Sequence, residues 1–231
     1  MRTLGLIGGI SWQSTLLYYR YLNEGAERHL GEGHTCPHVL VTADFAAIHA
    51  GQQRGAWGEL DAMMAEYARR LQRAGAEAIV ICANTMHLCA PAIEAATGLP
   101  VLHIADATGA AVQERDIGQV GLLGTRYTME KDFLRARLAD RFDLEVIVPL
   151  PIQRADVHAI IFEELTRGLT TEKSRRRYAE VVESLVERGA GGVILGCTEI
   201  PLLIGDDDVS VPTFDTTRLH AEAALAWALE E

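Results

Sequence analysis

The chain contains GAEAIVICANT at residues 75–85 and a closely similar stretch, GAGGVILGCTE, at residues 189–199. Each copy is a short apolar run that ends in small and polar residues. A second pair, LGLIGG at residues 4–9 and VGLLGT at residues 120–125, repeats at nearly the same spacing, because the two offsets are 114 and 116 residues. Two elements that recur at one spacing indicate a duplicated α/β unit.

Apolar runs alternate with amphipathic stretches along the whole chain. Continuous apolar runs are typical of parallel strands covered on both faces, and the intervening helices indicate crossover connections. We therefore predict an α/β fold with two similar Rossmann-like lobes, related by pseudo-twofold symmetry, with a cleft between them. The first lobe is expected to comprise residues 1–98 plus 208–231, and the second residues 99–207. The predicted strands are Thr3–Ile7, His38–Thr42, Ala78–Cys82, Val101–Ile104, Val120–Leu123, Leu144–Val148, Gly192–Leu195 and Val211–Phe214.

The composition of the chain argues against some classes of binding partner. Of the 231 residues, 48% are hydrophobic and 23% charged, and the formal net charge is −11. This charge argues against a nucleic-acid or anionic-membrane partner, because both favour a basic patch. The sequence has no apolar run of about 18 residues, which a membrane span needs, and its first apolar stretch is too short for a signal peptide. We expect a cytoplasmic protein that binds a small molecule.

The four cysteines, Cys36, Cys82, Cys89 and Cys197, form neither a CxxC pair nor a zinc-binding spacing. We therefore expect no metal and reduced thiols, with packing roles for Cys36 and Cys89. Cys197 is the strongest catalytic candidate, because it lies at the end of an apolar run, just after a predicted strand. A thiolate is a good base and nucleophile, and a helix starting after the strand is expected to lower the thiol pKa. A packing role for Cys197 is the alternative.

Polar residues follow the predicted strands in both copies. In open α/β sheets, ligands bind beyond the carboxyl ends of the strands, where such side chains and backbone N–H groups can hold a carboxylate. The same residue types cap helices, so both roles stay open at this point. The candidates for substrate contact are Ile10, Ser11, Asn84, Thr85, Thr125, Thr198 and Glu199.

Two arginines are candidates for binding a second substrate carboxylate, since a guanidinium holds a carboxylate with two hydrogen bonds. Arg54 lies in the polar segment Gln52–Gly55, which we predict as a loop able to fold over a site. Arg126 follows the glycine-rich turn of the second copy. Two histidines have packing as their simpler interpretation: His87, a short step after Asn84, and His103, in an apolar run.

Four segments together resemble the aspartate/glutamate racemase family, in the family's order and over essentially the whole chain. They are GLIGGISWQST at 5–15, NTMH at 84–87, LGTRYTM at 123–129 and GCTEI at 196–200. Within that family the chain is most similar to the bacterial broad-specificity amino-acid racemases. The resemblance implies a racemase that uses no cofactor such as pyridoxal phosphate (PLP), acts on aspartate, glutamate or a related amino acid, and forms a homodimer.

The family mechanism uses two cysteines that face the substrate Cα from opposite sides, one as thiolate base and the other as thiol acid. Cys197 matches the second cysteine. The first would directly precede Asn84, where this chain has Ala83. The internal repeat gives the same correspondence, because it pairs Cys197 with Ala83 and Cys82 with Gly196.

The missing first cysteine leaves the mechanism open. Successive strand residues point to opposite faces, so Cys82 is expected to point into the sheet–helix packing and is a doubtful replacement. Three interpretations stay open. A water or nearby group replaces the missing acid, or the end of the strand twists so that Cys82 faces the site. In the third, racemisation is weak and the site catalyses a reaction on one face of the substrate. A one-cysteine version of this fold resembles arylmalonate decarboxylase. A non-catalytic amino-acid-binding protein is a further alternative.

Overall fold

The computed structural model describes residues 1–230 and contains two four-stranded sheets with parallel strand pairs. The strands are β1 (Leu4–Gly8), β2 (His38–Thr42), β3 (Ala78–Ile81), β4 (Val101–Leu102), β5 (Gln119–Gly124), β6 (Glu145–Ile147), β7 (Val193–Gly196) and β8 (Thr213–Asp215). The helices are α1 (Trp12–Leu30), α2 (Phe45–Arg54), α3 (Trp57–Arg73), α4 (Ala90–Thr97), α5 (Ile104–Gln113), α6 (Arg126–Glu130), α7 (Asp132–Phe142), α8 (Pro151–Glu163), α9 (Glu172–Val186) and α10 (Thr216–Leu229). Short 3₁₀ helices cover Thr85–Cys89, Leu165–Arg167, Ile200–Leu202 and Asp206–Asp208.

The first sheet has the strand order β2-β1-β3-β4, and the second has the order β6-β5-β7-β8. The two central strands of each sheet are fully buried along their length, apart from one partly buried residue at the start of β5. The predicted α/β fold with two parallel sheets is therefore confirmed, and both sheets have the same order. Among residues 1–230, no helix combines the length and the apolar character that a membrane crossing requires.

The first sheet is covered by apolar clusters on both faces. Alternate residues of β1 and β3, among them Ile79 and Ile81, join one cluster with α3 and α4. The intervening residues, such as Val80, join a second cluster with α1 and α10. Each fully buried aliphatic side chain contributes about 1.5–3 kcal/mol relative to an exposed one. Packing on both faces therefore fixes which side each residue at the end of β3 faces.

The second sheet packs against α8 and α9. Val157 and Ile161 of α8 and Tyr178 of α9 join Leu123 and Leu195 of the central strands in one buried cluster. Helix α9 begins at a Thr171 cap, whose side chain accepts a hydrogen bond from the Ser174 backbone N–H.

The chain forms two compact units, one of Met1–Ile104 with residues 220–230, and the other Ala105–Leu219. The C-terminal segment of the first unit begins at residue 220, whereas the start predicted from the sequence is residue 208. Strand β8 pairs with β7, so residues 213–215 belong to the second sheet. Only the helix that follows contributes to the first unit, where Ala221 and Leu225 pack in the cluster of β1 and α1.

The expectation of a polar loop at Gln52–Gly55 is wrong, because residues 45–54 form α2. The Asp44 carboxylate caps this helix by accepting a hydrogen bond from the Ala46 N–H, and Gly55 ends it in the left-handed conformation. Arg54 is thus the last residue of a helix.

Candidate functional site

The turn after β1 is held in place by hydrogen bonds to the start of α1. Gly9 has φ +81°, and a Cβ there would collide with the Ala43 carbonyl oxygen, so the turn requires glycine. Its N–H donates to Thr15 Oγ1 at 2.8 Å. The Ser11 side chain caps α1 by accepting from the Ser14 N–H at 3.3 Å. Capping is therefore one role of Ser11, while the adjacent Ile10 packs in the first apolar cluster.

The turns after β1 and β3 are joined by a buried hydrogen bond, in which Ser14 Oγ donates to the Cys82 carbonyl oxygen at 2.7 Å. Asn84 and Thr85 follow in a buried 3₁₀ turn, and the Asn84 side chain does not cap it. The predicted strand-end residues of the first unit thus lie on two adjoining turns.

Cys82 and Ala83 point to opposite sides of the first sheet. Cys82 is 0% exposed and packs in the cluster of Leu4, Leu6 and α1. Ala83 packs in the other cluster, with Ile7 and Ile10. Burial raises the pKa of the Cys82 thiol. The end of β3 is therefore not twisted in a way that brings Cys82 to the Ala83 side, and the thiol stays in the core.

The turn after β5 in the second unit has the corresponding local structure. Thr125 caps α6 by accepting a hydrogen bond from the Thr128 N–H. Gly124 of β5 is paired with Gly196 of β7. A Cβ on Gly196 would lie 2.8 Å from the Leu123 carbonyl oxygen, which is backbone and cannot yield. The position that the repeat pairs with Cys82 therefore requires glycine.

Cys197 directly follows β7 and is partly exposed. Its Sγ donates to Glu199 Oε2 at 3.0 Å, and Thr198 Oγ1 donates to the same oxygen at 2.7 Å. Glu199 is only 6% exposed. A thiol proton is thus aimed at a buried carboxylate, and a second donor fixes the orientation of that carboxylate.

The pKa of the Cys197 thiol is raised well above its ordinary value, first by burial and then by the Glu199 carboxylate. The expectation that a helix N-terminus lowers this pKa is therefore wrong. Only the three-residue 3₁₀ helix Ile200–Leu202 follows the strand. Hydrogen bonds from the Thr198 and Glu199 backbone lower the pKa but are the smaller effect. Burial raises the pKa of the nearby Tyr178 hydroxyl well above its ordinary value, with smaller contributions from Cys197 and Glu164.

The two arginine candidates are exposed side chains. Arg54 forms an ion pair with Glu59 at 3.0 Å, with both side chains mostly in solvent. Arg126 begins α6, and its backbone N–H donates to His158 Nδ1 at 3.2 Å. The buried polar residue of the segment around Arg54 is Gln52, whose amide donates to Met86 Sδ at 3.3 Å. Within residues 1–230, no group of three or more His, Cys, Asp or Glu side chains is arranged to hold a metal ion.

Fold and geometry define an α/β protein with two parallel sheets, polar strand ends, and a thiol–carboxylate pair at one of those ends. The chain belongs to the Asp/Glu/Hydantoin racemase family, whose model matches residues 7–224. The resemblance based on the four sequence segments is thus confirmed.

Individual relatives agree with this membership. A Yersinia pestis structure, described as a candidate Asp/Glu racemase, is 48% identical with a TM-score of 0.94 and covers 100% of both chains. The structure of an aspartate racemase homologue from Pyrococcus horikoshii OT3 is 33% identical with a TM-score of 0.87, again over 100% of both chains. A glutamate racemase from Persephonella marina (strain DSM 14350 / EX-H1) is 28% identical over 141 residues, 60% of this chain and 52% of that protein. The match thus spans about half the length of this curated relative.

Proposed function

We propose that this chain is an amino-acid racemase that works without PLP and uses Cys197 as its acid/base. The observation that carries the proposal is the hydrogen bond from the partly exposed Cys197 thiol to the buried Glu199 carboxylate, 3.0 Å long. A raised thiol pKa means that Cys197 carries its proton at rest, so a nearby base is needed to make the reactive thiolate. Glu199 supplies that base.

The proposed reaction begins when Glu199 takes the thiol proton. The thiolate then removes the substrate Cα proton, so that Cys197 becomes a thiol again while the C–H electron pair stays on the substrate as a carbanion. A proton from water adds to the opposite face and gives the enantiomer. The hydroxide left behind takes the proton held by Glu199, which restores the starting charges.

The carbanion is spread into the substrate carboxylate, and hydrogen-bond donors around that carboxylate stabilise it. We propose the polar strand-end residues for this role. They are Ser11, Asn84 and Thr85, beside Ile10, in the first unit and Thr125 and Thr198 in the second. Glu199 serves Cys197 in this scheme, instead of the substrate contact first expected for it.

Proton exchange at Cα in heavy water tests the proposal. A racemase without a thiol at position 83 incorporates deuterium and inverts the configuration, which chiral chromatography with mass spectrometry detects. Exchange with retention would contradict racemisation and favour a one-base enzyme. Binding without exchange would favour an amino-acid-binding protein. Loss of carbon dioxide from an aryl malonate would favour the decarboxylase alternative.

Aspartate or glutamate is the proposed substrate, because the 48% identical Yersinia pestis protein is described as a candidate Asp/Glu racemase. Both enantiomers of aspartate, glutamate, alanine and serine form the test panel. Faster turnover of alanine and serine than of aspartate and glutamate would exclude a preference for dicarboxylates. Variants Arg54→Ala and Arg126→Ala, compared on aspartate and alanine, show whether either guanidinium binds the side-chain carboxylate.

We also propose a cytoplasmic homodimer. Helix α1 presents Trp12, Leu16 and Tyr19 on one face, and these side chains are 61%, 57% and 54% exposed. Two copies of a chain with net charge −11 repel each other least at such an uncharged stripe. Leu16→Glu is expected to give a monomer by light scattering, whereas Leu169→Glu, at a similarly exposed leucine, leaves the mass unchanged. A monomeric unaltered chain would refute the dimer.

A further inference from the structure

A cluster of buried aromatic and imidazole side chains lies in the first unit, and the proposed reaction does not use it. Its members are Tyr18, His87, His103 and His220, none of which is more than 8% exposed. The ring centroids of His87 lie 4.6 Å from His103 and 5.3 Å from His220. Charged rings this close in a dry interior would repel each other and lose their hydration.

The hydrogen bonds of His87 define a single neutral form. Its Nδ1 lies 2.9 Å from the Ala83 carbonyl oxygen and 3.2 Å from the Asn84 carbonyl oxygen. Because carbonyl oxygens only accept, Nδ1 carries the proton. Its Nε2 accepts from the Ile104 backbone N–H at 3.3 Å. Both ring nitrogens are therefore occupied, and His87 joins the turn after β3 to the start of α5.

His220 is fixed in the opposite tautomer. Its Nε2 lies 2.6 Å from the Leu102 carbonyl oxygen and so carries the proton. Its Nδ1 accepts from the Tyr18 hydroxyl at 2.7 Å. The ring beside His87 is thus held by partners from β4 and α1, which fixes the side chain against which His87 packs.

The two carbonyl groups that His87 binds determine where the next two N–H groups point. In a trans peptide, the C=O and the N–H of the same plane point in opposite directions. The Ala83 carbonyl shares its plane with the Asn84 N–H, and the Asn84 carbonyl shares its plane with the Thr85 N–H. Both peptides are trans. The imidazole therefore directs the Asn84 and Thr85 N–H groups away from itself.

We propose that His87 is a positioning residue for the Asn84–Thr85 turn. Its Nδ1–H holds the turn in the orientation in which backbone and side-chain donors of Asn84 and Thr85 receive the substrate carboxylate. The assignment of that ligand rests on the racemase function proposed above. The orientation of the turn rests only on the geometry of the first unit.

Two amide variants separate this role from simple core packing. His87→Asn places an amide N–H near the position of Nδ1 and loses the acceptor for Ile104. His87→Gln places an amide oxygen near the position of Nε2 and loses the donor to Ala83. Each variant is uncharged and loses about one hydrogen bond, so both are expected to lower the thermal midpoint by a similar amount. His34→Asn and His34→Gln, at an exposed histidine, are the matched controls.

Amide hydrogen exchange read by mass spectrometry is the first readout and needs no activity. We expect peptides that span residues 83–87 to exchange like the unaltered chain in His87→Asn and about tenfold faster in His87→Gln, if one hydrogen bond holds the turn. Tyr18→Phe, which removes a bond to His220 only, is expected to leave this segment protected. The second readout is kinetic. His87→Gln is expected to raise KM about tenfold, whereas His87→Asn is expected to keep the KM of the unaltered chain.

Equal exchange in the two His87 variants, or faster exchange in His87→Asn, would overturn the positioning role, because it would show that only the volume of the side chain matters. If the turn exchanges faster only in His87→Gln but the two His87 variants have equal KM values, the link between the turn and the substrate would be overturned. An unaltered chain that turns over no amino acid would refute the proposed function and with it that link, while the exchange pattern would still decide whether His87 orients the turn.

Discussion

Cys197 Sγ and Glu199 Oε2 lie 3.0 Å apart, and the hydrogen bond between them combines two opposing effects. In the proposed reaction, the Glu199 carboxylate takes the thiol proton. At rest, burial first, and then the negative charge and the hydrogen bond of the same carboxylate, raise the pKa of the thiol. Cys197 is consequently a protonated thiol at rest, and its reactivity depends on its partner.

Glu199→Gln removes the charge and retains an oxygen that accepts from Thr198. The pKa of Cys197 is therefore expected to fall, because the carboxylate raises it, so the ultraviolet absorbance of the thiolate appears at lower pH. Turnover is expected to fall about a hundredfold or more, because an amide cannot take up the thiol proton as the carboxylate does. Subtracting the titration of Cys197→Ala isolates this thiol. An unchanged titration with full turnover would remove Glu199 from the mechanism.

Cys197→Ser is expected to lower turnover at least about a thousandfold, because a hydroxyl is a far weaker acid than a thiol. Little loss of stability is expected, because Cys197 is partly exposed. Cys82→Ala is the matched control in the first unit. It is expected to keep turnover within about threefold while costing about 1–2 kcal/mol of unfolding free energy, since Cys82 is fully buried. Urea titration and the heavy-water assay measure both effects. The reverse pattern would transfer the acid/base role to Cys82.

All eight strands overlap predicted ones, and the four central strands were the clearest, because central parallel strands are buried on both faces and appear as uninterrupted apolar runs. The two central strands of each sheet, such as β3 and β7, show this pattern clearly. Helix α2 was not predictable in the same way. Its sequence, FAAIHAGQQR, is short and ends in polar residues, and only Ile48, Gly51 and Gln52 are buried. Tertiary contacts and the Asp44 cap decide that this segment is helical.

The placement of the candidate site residues at strand ends followed from the repeat, since each copy ends at the carboxyl edge of its own parallel sheet. Their chemistry did not follow. The direction of the Cys197 pKa shift depends on where the Glu199 side chain turns, and a sequence pattern contains no rotamers. The role of His87 was hidden for a similar reason, because its partner Ile104 and its neighbour His220 are distant in sequence.

Acid is expected to destabilise the protein through His87. Burial, and then the charges of His103 and His220, lower the pKa of His87 well below its ordinary value. The unfolded chain therefore binds a proton below a pH of about 6.5 that the folded chain does not bind, and stability falls as the pH decreases, by up to about 1.4 kcal/mol per pH unit for each such proton. Urea midpoints between pH 8 and pH 5 measure this slope.

The His87→Asn variant is expected to show a shallower loss of stability in acid, because position 87 no longer titrates. The neighbouring groups that face His87 are the rings of His103 and His220, with Tyr18 bound to the latter. His34→Asn, the same substitution at an exposed position, is the matched control. Parallel profiles for the unaltered chain and His87→Asn would exclude His87 as a source of acid sensitivity.

Ala83→Cys places a thiol at the position that the internal repeat pairs with Cys197. If inversion is limited by proton delivery to the second face of Cα, this thiol is expected to raise the rate of racemisation about tenfold or more, because a positioned acid replaces water. Ala83 is buried, so the added sulfur costs about 1–3 kcal/mol of stability. Ala83→Ser imposes a similar volume without an effective acid and is expected to give no gain. An increase in exchange with retention, but not in inversion, would show that the new thiol does not reach the second face.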